Sequence, residues 1–109
     1  MATGRREDAV HAAEEAVQLY RALTLSRPRR YKYRLANSLG TQAEALQHAG
    51  RSAEALAATS ESVSMYDGMR LAGADAHDAA EIRSLHTRLL YATGRTTEST
   101  PKSRRVLPG

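Results

Sequence analysis

The residues of this sequence best suited to bind a metal or transfer a proton are four histidines, His11, His48, His77 and His86. No two of them have the HExxH arrangement that places two ring nitrogens on one face of a helix. The chain has no cysteine, so it offers no thiolate ligand or nucleophile. We therefore interpret the histidines as ordinary surface or half-buried side chains, and we expect no metal and no other cofactor.

Carboxylate and hydroxyl side chains are plentiful, but they do not form a known catalytic pattern. Glu7 and Asp8, like Glu14 and Glu15, are neighbours in sequence, and adjacent residues of a helix point in different directions. The GxSxG motif of serine hydrolases is missing, and so are the glycine-rich loops GxGxxG and GxxxxGKS/T that bind phosphates. The sequence thus predicts a protein that is not an enzyme.

The stretch 27–34, which reads RPRRYKYR, carries five positive charges and no negative one. Arginines interleaved with tyrosines could contact phosphates and stack on bases, so nucleic-acid binding is an alternative function. The residues that would contact phosphates are Arg27, Arg29, Arg30, Lys32 and Arg34. We favour the other interpretation, in which the stretch is a turn between helices and its tyrosines pack back on the domain.

Charge and hydropathy bound the class of protein. The chain has 109 residues, a net charge of +4 and an isoelectric point near 9.9. The surplus is mild and is concentrated in residues 27–34 and 102–105, which makes nucleic acid the less favoured partner. No apolar run reaches the roughly 18 residues of a membrane span, and no signal-peptide pattern follows Arg5 and Arg6. We expect a soluble, cytoplasmic protein without a membrane partner.

The elements that carry these residues are organised by an internal repeat. Residues 50–66, GRSAEALAATSESVSMY, match residues 4–20, GRREDAVHAAEEAVQLY, at an offset of 46. Seven positions are identical, from Gly4 and Gly50 to Tyr20 and Tyr66, and a weaker third start occurs at Gly94. A helical pattern repeated at this length predicts stacked helix pairs.

Apolar residues recur at helical spacing in four segments and predict four helices. The first covers 5–25, the second 33–49, the third begins just after Gly50 and ends by Gly73, and the fourth covers 77–93. The predicted buried stripes are Val10, Ala13, Val17 and Tyr20 in the first helix; Leu35, Leu39, Ala43 and Leu46 in the second; Ala55, Leu56, Thr59, Val63 and Tyr66 in the third; and Ile82, Leu85, Leu89 and Ala92 in the fourth.

The fold class that follows is all-α, with about four antiparallel helices stacked as a short α-solenoid. We expect one helical repeat domain over residues 1–94. Residues 95–109 are rich in serine and threonine and carry Pro101 where a helix interior would fall. We therefore expect a disordered basic tail over 95–109.

Small and apolar residues at fixed spacing give this chain a family resemblance. The residues that carry it are Ala43, Leu46, Gly50, Ala55, Thr59 and Ser62. Their pattern resembles the tetratricopeptide repeat, and its second half recurs from Gly4. The period exceeds the usual 34 residues and is similar to the long-helix subclass of kinesin light chains and many bacterial repeat proteins. The chain departs from the family in two ways: no aromatic residue fills the usual first-helix position, and only Pro28 stands near the place of a closing proline.

The resemblance implies a protein–protein interaction scaffold whose concave face binds an unidentified protein or peptide. In the family the first helix of each pair lines that face, which here means the second and fourth helices. The implied groove residues are Asn37, Thr41, Glu44, His48, Glu81, Arg88 and Tyr91. The set of Lys, Asn and Arg that forms the family's carboxylate clamp is missing, so we expect no clamp for a C-terminal peptide.

Four helices make barely two pairs, whereas a stable array needs roughly three repeats with capped ends. The first helix is expected to expose an apolar face, and the last face of the array is likewise uncovered. Three alternatives follow. The chain is a piece of a longer array, it self-associates through its end helices, or its first helix serves as a cap.

Overall fold

Alanine, leucine, glutamate and arginine, all good helix formers, dominate the sequence up to Gly94. The computed structural model of the protein describes residues 2–94, which form four α-helices: α1, Ala2–Ser26; α2, Pro28–His48; α3, Ser52–Asp67; and α4, Gly73–Thr93. No strand occurs in this part of the chain. The all-α class and the number of helices are therefore confirmed. The expected tail, 95–109, lies outside the described residues.

The second helix begins five residues earlier than predicted, at Pro28 instead of residue 33. Proline suits the first helical position because its missing N–H needs no partner there and its φ angle is already helical. Only Arg27, with φ −137° and ψ 77°, separates α1 from α2. The link predicted at 29–32 is therefore wrong, and residues 28–34 form the first two turns of a helix.

Glycines with a positive φ follow α2 and α4. Gly50 (79°) and Gly94 (75°) adopt the left-handed conformation that other residues disfavour. The fourth helix begins at Gly73, four residues before the predicted start at residue 77. Asp75 lies in the first turn of α4, where the partial positive charge of the helix N-terminus favours a carboxylate.

Each helix packs against the next one along the chain, and α2 also contacts α4. Two ion pairs join α1 to the region of α3. Arg21 Nη1 lies 2.6 Å from Glu61 Oε2, and Arg51 Nη1 lies 3.0 Å from Glu7 Oε1. The structure therefore brings α1 beside α3, and α2 beside α4, in addition to the sequential contacts.

The predicted buried stripes correspond closely to the core. All predicted positions of α2 are buried, and in α1 and α3 only Tyr20 and Val63 remain half-buried. The prediction is wrong for Ala92, which is exposed in the last turn of α4. Helical spacing shows which residues share a side of α4, but it does not show how far a neighbour covers that side.

Small side chains let α3 approach α2 closely. Ser62 of α3 is fully buried, and its hydroxyl donates a hydrogen bond of 2.6 Å to the carbonyl oxygen of Ala36 in α2. Ala43 and Ala55 are fully buried in the same region of contact. A larger residue at any of these positions would push the two backbones apart.

Candidate functional site

A surface cleft lies between α2 and α4, with Tyr20 of α1 at one end. It has two adjoining parts, of about 380 Å³ and 190 Å³, which share Asn37 and Asp78. The larger part is lined by Tyr20, Arg30, Tyr33, Arg34, Asn37, Ser38, Asp75 and Asp78. The smaller part is lined by Asn37, Gly40, Thr41, Glu44, Asp78, Glu81 and Ile82. We call the two parts together the α2–α4 cleft.

Helical spacing places the lining residues of α2 on one side of that helix. Arg30, Asn37, Thr41 and Glu44 follow one another at intervals of seven, four and three residues, so they lie along one face. The apolar stripe of α2 is buried in the core, which leaves this polar face to border the cleft. On α4, the acidic lining residues recur every three residues: Asp75, Asp78 and Glu81.

Hydrogen bonds fix the walls of the α2–α4 cleft. Asn37 Nδ2 donates to Asp78 Oδ2 at 3.2 Å and so joins α2 to α4 across the boundary between its two parts. The Tyr33 hydroxyl donates to the carbonyl oxygen of Arg70 at 3.1 Å, which holds its ring at the wall. The Thr41 hydroxyl donates to the Asn37 carbonyl at 3.3 Å. Its oxygen can still accept a hydrogen bond from a ligand.

Tyr66 of α3 is buried and lies next to Asn37. Burial raises the pKa of its hydroxyl, and the nearby carboxylates Asp78 and Asp75 raise it further, whereas the hydrogen bond with Asn37 acts in the opposite direction. The hydroxyl is therefore protonated at neutral pH. Asn37 therefore lies next to an uncharged phenol and next to the carboxylate of Asp78, to which it donates.

The two parts of the cleft differ in charge. Arg30, Arg34 and Asp75 line the larger part alone, Glu44 and Glu81 line the smaller part alone, and Asp78 lines both. Within residues 4–94, no ion pair engages Arg34 or Glu44, and Glu81 has only an exposed contact of 3.4 Å with His77. These charged groups are open to a ligand, for which complementary charge would provide specificity and orientation.

Four of the seven predicted groove residues meet in the cleft: Asn37, Thr41, Glu44 and Glu81. His48 is exposed near the end of α2, with Nδ1 2.9 Å from the carbonyl oxygen of Glu44. Arg88 and Tyr91 are exposed further along α4, beyond the two parts described above. The role of all seven in binding a partner stays a prediction.

Most residues that line the larger part lie outside the groove implied by the family resemblance, and Arg30 and Arg34 are predicted above only as phosphate contacts. Arg30, Tyr33 and Arg34 lie one and two turns before Asn37 on the same side of α2. The sequence places Arg30 in a link and Tyr33 and Arg34 at the very start of the second helix, because a proline is expected to end the preceding helix. Helical spacing from the predicted groove residues could have identified them: Asp78 precedes Glu81 by three residues on α4, as Arg34 precedes Asn37 on α2. This spacing is informative only when the start of each helix is known.

The basic stretch 27–34 is exposed at its start and packed further on. The Arg30 guanidinium lies 5.7 Å from the centre of the Tyr31 ring, and the Tyr31 ring lies 6.4 Å from that of Tyr20. Because Tyr33 also bonds to the Arg70 carbonyl, both tyrosines of the stretch make contacts within the domain. Phosphate binding by Arg27, Arg29, Arg30, Lys32 and Arg34 stays a prediction.

His86 is the histidine with a buried partner. Its Nδ1 lies 2.9 Å from the hydroxyl of Thr59, and that hydroxyl is also 3.0 Å from the carbonyl oxygen of Leu56. The contact joins α3 to α4. Among residues 4–94 no three histidine, aspartate or glutamate side chains come together in a way that could hold a metal ion.

Comparison with known proteins finds no relative for this chain. No family model matches it, and no curated protein or solved structure does either. Within residues 2–94, no helix has the length and apolar character that a membrane crossing requires. The α2–α4 cleft and the packing of the four helices are therefore the features that bear on function.

Proposed function

We propose that this chain is a helical-repeat interaction module of the tetratricopeptide type that binds an extended protein segment in the α2–α4 cleft. The observation that carries the proposal is the cleft itself. It runs between two helices, and polar and charged side chains line it at helical spacing. Segments of this kind commonly bind in surface grooves through backbone hydrogen bonds and a few side-chain contacts.

The pairing of alternate helices supports the repeat organisation. In a stack of helix pairs, second helices lie beside second helices and first helices beside first helices. Here the ion pair between Arg21 and Glu61 joins α1 to α3, and the hydrogen bond between Asn37 and Asp78 joins α2 to α4. The matching sequences at 4–20 and 50–66 fall on α1 and α3, the helices that such a stack would make equivalent.

The chemistry of the cleft suits a polypeptide. The Asn37 side chain has both a donor and an acceptor, as a peptide group requires, and the Thr41 oxygen is a further acceptor. Arg34 at one end and Glu44 at the other offer opposite charges to a ligand. An extended segment with an acidic residue towards Arg34 and a basic residue towards Glu44 would satisfy both.

The test is to select peptides from a random library on the full chain and to map their binding sites by amide chemical shifts. We expect selected peptides to shift the signals of Asn37, Gly40 and Thr41. Thr41→Arg should weaken binding at least about tenfold, since an added arginine fills the smaller part of the cleft. Circular dichroism should show unchanged helix content, because Thr41 is exposed.

The matched control is Glu15→Gln, a change at an exposed residue of α1 away from the cleft. It should leave peptide affinity unchanged. Peptides that shift signals elsewhere, or a library that yields no binder to the full chain, would count against binding in the cleft.

Nucleic-acid binding by the basic stretch is the second candidate. Its support is that Arg27, Arg29, Arg30 and Arg34, which lie close together in sequence at the start of α2, form no ion pair within residues 4–94. A single-stranded DNA oligonucleotide should then bind with an affinity that falls steeply between about 50 and 200 mM salt. The double variant Arg29→Glu, Arg30→Glu should remove this binding and leave the helix content intact, and equal binding by that variant would exclude the basic stretch.

A further inference from the structure

α3 is buried on two sides, and one of them packs against the preceding helix, α2. The Ser62 hydroxyl reaches the Ala36 carbonyl, and Ala55 and Ala58 share a core cluster with Ala43. The residues of this side recur every three or four positions: Ala55, Ala58, Ser62 and Met65. They are small where the helices are closest.

The other side of α3 packs against the following helix, α4. Thr59 contacts His86, and Tyr66 shares a core cluster with Ala79 and Ile82. The residues of this side are Leu56, Thr59, Val63 and Tyr66. α3 is thus enclosed between the helix before it and the helix after it.

The repeat at an offset of 46 assigns the same two sides to α1. The equivalents of the side that meets the following helix are Val10, Ala13, Val17 and Tyr20, which are buried or half-buried against α2. The equivalents of the side that meets the preceding helix are Ala9, Ala12, Ala16 and Leu19. Ala9 and Ala12 are exposed, Ala16 is half-buried, and Leu19 is 57% exposed. We call these four residues the open side of α1.

α4 has an open side of its own, equivalent to the side of α2 that meets α3. Two positions of α2 that contact α3 are Ala36 and Ala43. The distance from Gly50 to Gly94, 44 residues, carries them to Ala80 and Thr87. Ser84 lies between these two on the same face of α4; all three are exposed, and Tyr91 one turn further on is 72% exposed. The open side of α4 therefore consists of Ala80, Ser84, Thr87 and Tyr91.

We propose that copies of this chain associate head to tail, with the open side of α1 of one chain packed on the open side of α4 of the next. The contact would reproduce between chains the antiparallel packing of α3 on α2 within a chain. It rests on the repeat organisation proposed above, but not on peptide binding in the cleft. Because the two surfaces differ, every assembly keeps one free surface of each kind at its two ends. The association therefore continues as an open stack.

The internal contact also provides a register. Ser62 opposite Ala36 corresponds to Ala16 opposite Ala80, and Ala12 then falls near Ser84. Small residues on both sides permit the close approach that α3 and α2 already show. Two hydroxyls lie in the middle of the contact, those of Ser84 and Thr87. That of Thr87 is already bonded to the carbonyl oxygen of Arg83 at 3.0 Å, so burying it costs little.

A second copy bound through α1 alone fits less well. Such a dimer would pack two helices of the same type against each other. The chain itself shows how its equivalent helices meet, since α1 and α3 are joined by the exposed ion pairs of Arg21 and Arg51. The extensive helix packing in this structure is between helices of different type, as α3 on α2 and α4 on α3.

The experiment uses two full-length variants that each block one open side. Ala12→Arg places a long charged side chain on α1, and Ser84→Arg does so on α4, both at exposed helical positions. In sedimentation velocity, the unchanged chain should grow beyond twice 11.9 kDa as its concentration rises. Each variant alone should remain a monomer, and an equimolar mixture should form a dimer and nothing larger, because one unblocked pair of surfaces remains.

Ser60→Arg, at an exposed position of α3, is the matched control and should associate as the unchanged chain does. A Ser84→Arg chain that still dimerises while Ala12→Arg does not would overturn the head-to-tail arrangement in favour of an α1–α1 dimer. An unchanged chain that stays monomeric at the highest attainable concentration would overturn self-association altogether. Leu19→Glu is a second block of α1, should the helix content of Ala12→Arg fall.

The same variants separate this inference from the proposed function. A monomeric Ser84→Arg chain retains the whole α2–α4 cleft, so its peptide binding can be measured without association. Peptide binding by a chain that never associates would sustain the cleft proposal and reject the stack. Association without peptide binding would do the reverse.

Discussion

The side chain of Ile82 in α4 occupies the space that a side chain at residue 40 of α2 would need. A Cβ added to Gly40 would overlap Ile82 Cδ1 and lie 2.7 Å from Cγ1. Gly40 is itself buried, and both residues line the smaller part of the α2–α4 cleft. The absence of a side chain at residue 40 therefore sets how closely α4 approaches α2, and so sets the width of the cleft.

Gly40→Ala should lower the free energy of unfolding. Alanine gains about 1 kcal/mol in helix propensity, but overpacking against Ile82 costs about 1–3 kcal/mol. We expect a net loss of about 1 kcal/mol in urea denaturation. Combined with Ile82→Val, which removes the Cδ1 methyl, the same change should cost less, and equal costs in both backgrounds would contradict the contact. Gly4→Ala, with nothing within 4 Å of the added Cβ, is the control and should not destabilise.

The ion pair between Arg21 and Glu61 should stabilise the fold at neutral pH but not in acid. The hydrogen bond from Arg21 lowers the pKa of the Glu61 carboxyl below its ordinary value of 4.5. Its contribution is therefore complete above that ordinary value and is lost as the pH falls through the lower pKa of the folded state. Both side chains are nearly half exposed, so we expect Arg21→Gln to cost less than about 1 kcal/mol.

Chemical denaturation of both chains at neutral pH and in strong acid checks this expectation. The difference between Arg21→Gln and the unchanged chain should vanish in acid. Arg29→Gln, which removes an exposed arginine without an ion pair among the described residues, should show no such pH dependence. A difference that persists in acid would mean that Arg21 stabilises the fold by packing alone.

Tyr66 should make the fold less stable at alkaline pH. Burial raises the pKa of its hydroxyl above the ordinary value of 10.0, so the unfolded state loses this proton first as the pH rises. Stability should fall from that value upward, through the higher pKa of the folded state. Tyr66→Phe should flatten this part of the stability profile, and a profile as steep as that of the unchanged chain would refute the assignment.

The neutral ring of His86 should carry its proton on Nδ1. The Thr59 hydroxyl has one proton, and it lies within 3.0 Å of the Leu56 carbonyl, which can only accept. The hydroxyl oxygen is then the acceptor for His86 Nδ1. Long-range ¹H–¹⁵N correlation spectra of the ring nitrogens should show the Nδ1–H tautomer, and Thr59→Val should remove the preference. A protonated Nε2 with a bare Nδ1 would reverse the direction of this hydrogen bond.

Helical spacing alone identified most of the core, because burial follows the periodicity of 3.6 residues whatever the neighbour is. Leu35, Leu39 and Ala43 needed only that rule. The start of α2 could not be predicted from spacing, since a proline is compatible with the end of one helix and with the first residue of the next. Because of this ambiguity at Pro28, the larger part of the cleft was not predicted.

The family resemblance implies Asn37, Thr41 and Glu44 as groove residues, and these three line the smaller part of the cleft. Their role in binding stays a prediction. What the sequence could not supply is the contact between α2 and α4, which depends on a glycine at residue 40 meeting an isoleucine 42 residues later. A contact between residues so far apart in the sequence produces no periodic pattern. The hydrogen bond from Asn37 to Asp78 is another relationship of this kind, because nothing in either helix alone indicates its partner.

The connection between α1 and α2 consists of Arg27 alone, whereas five residues, 68–72, separate α3 from α4. An added or deleted residue near the end of α1 would turn the rest of that helix by about 100° and carry its apolar residues away from α2. The same change within 68–72 would be absorbed by a surface loop. Insertions and deletions in homologous sequences should therefore occur between α3 and α4 and be rare between α1 and α2.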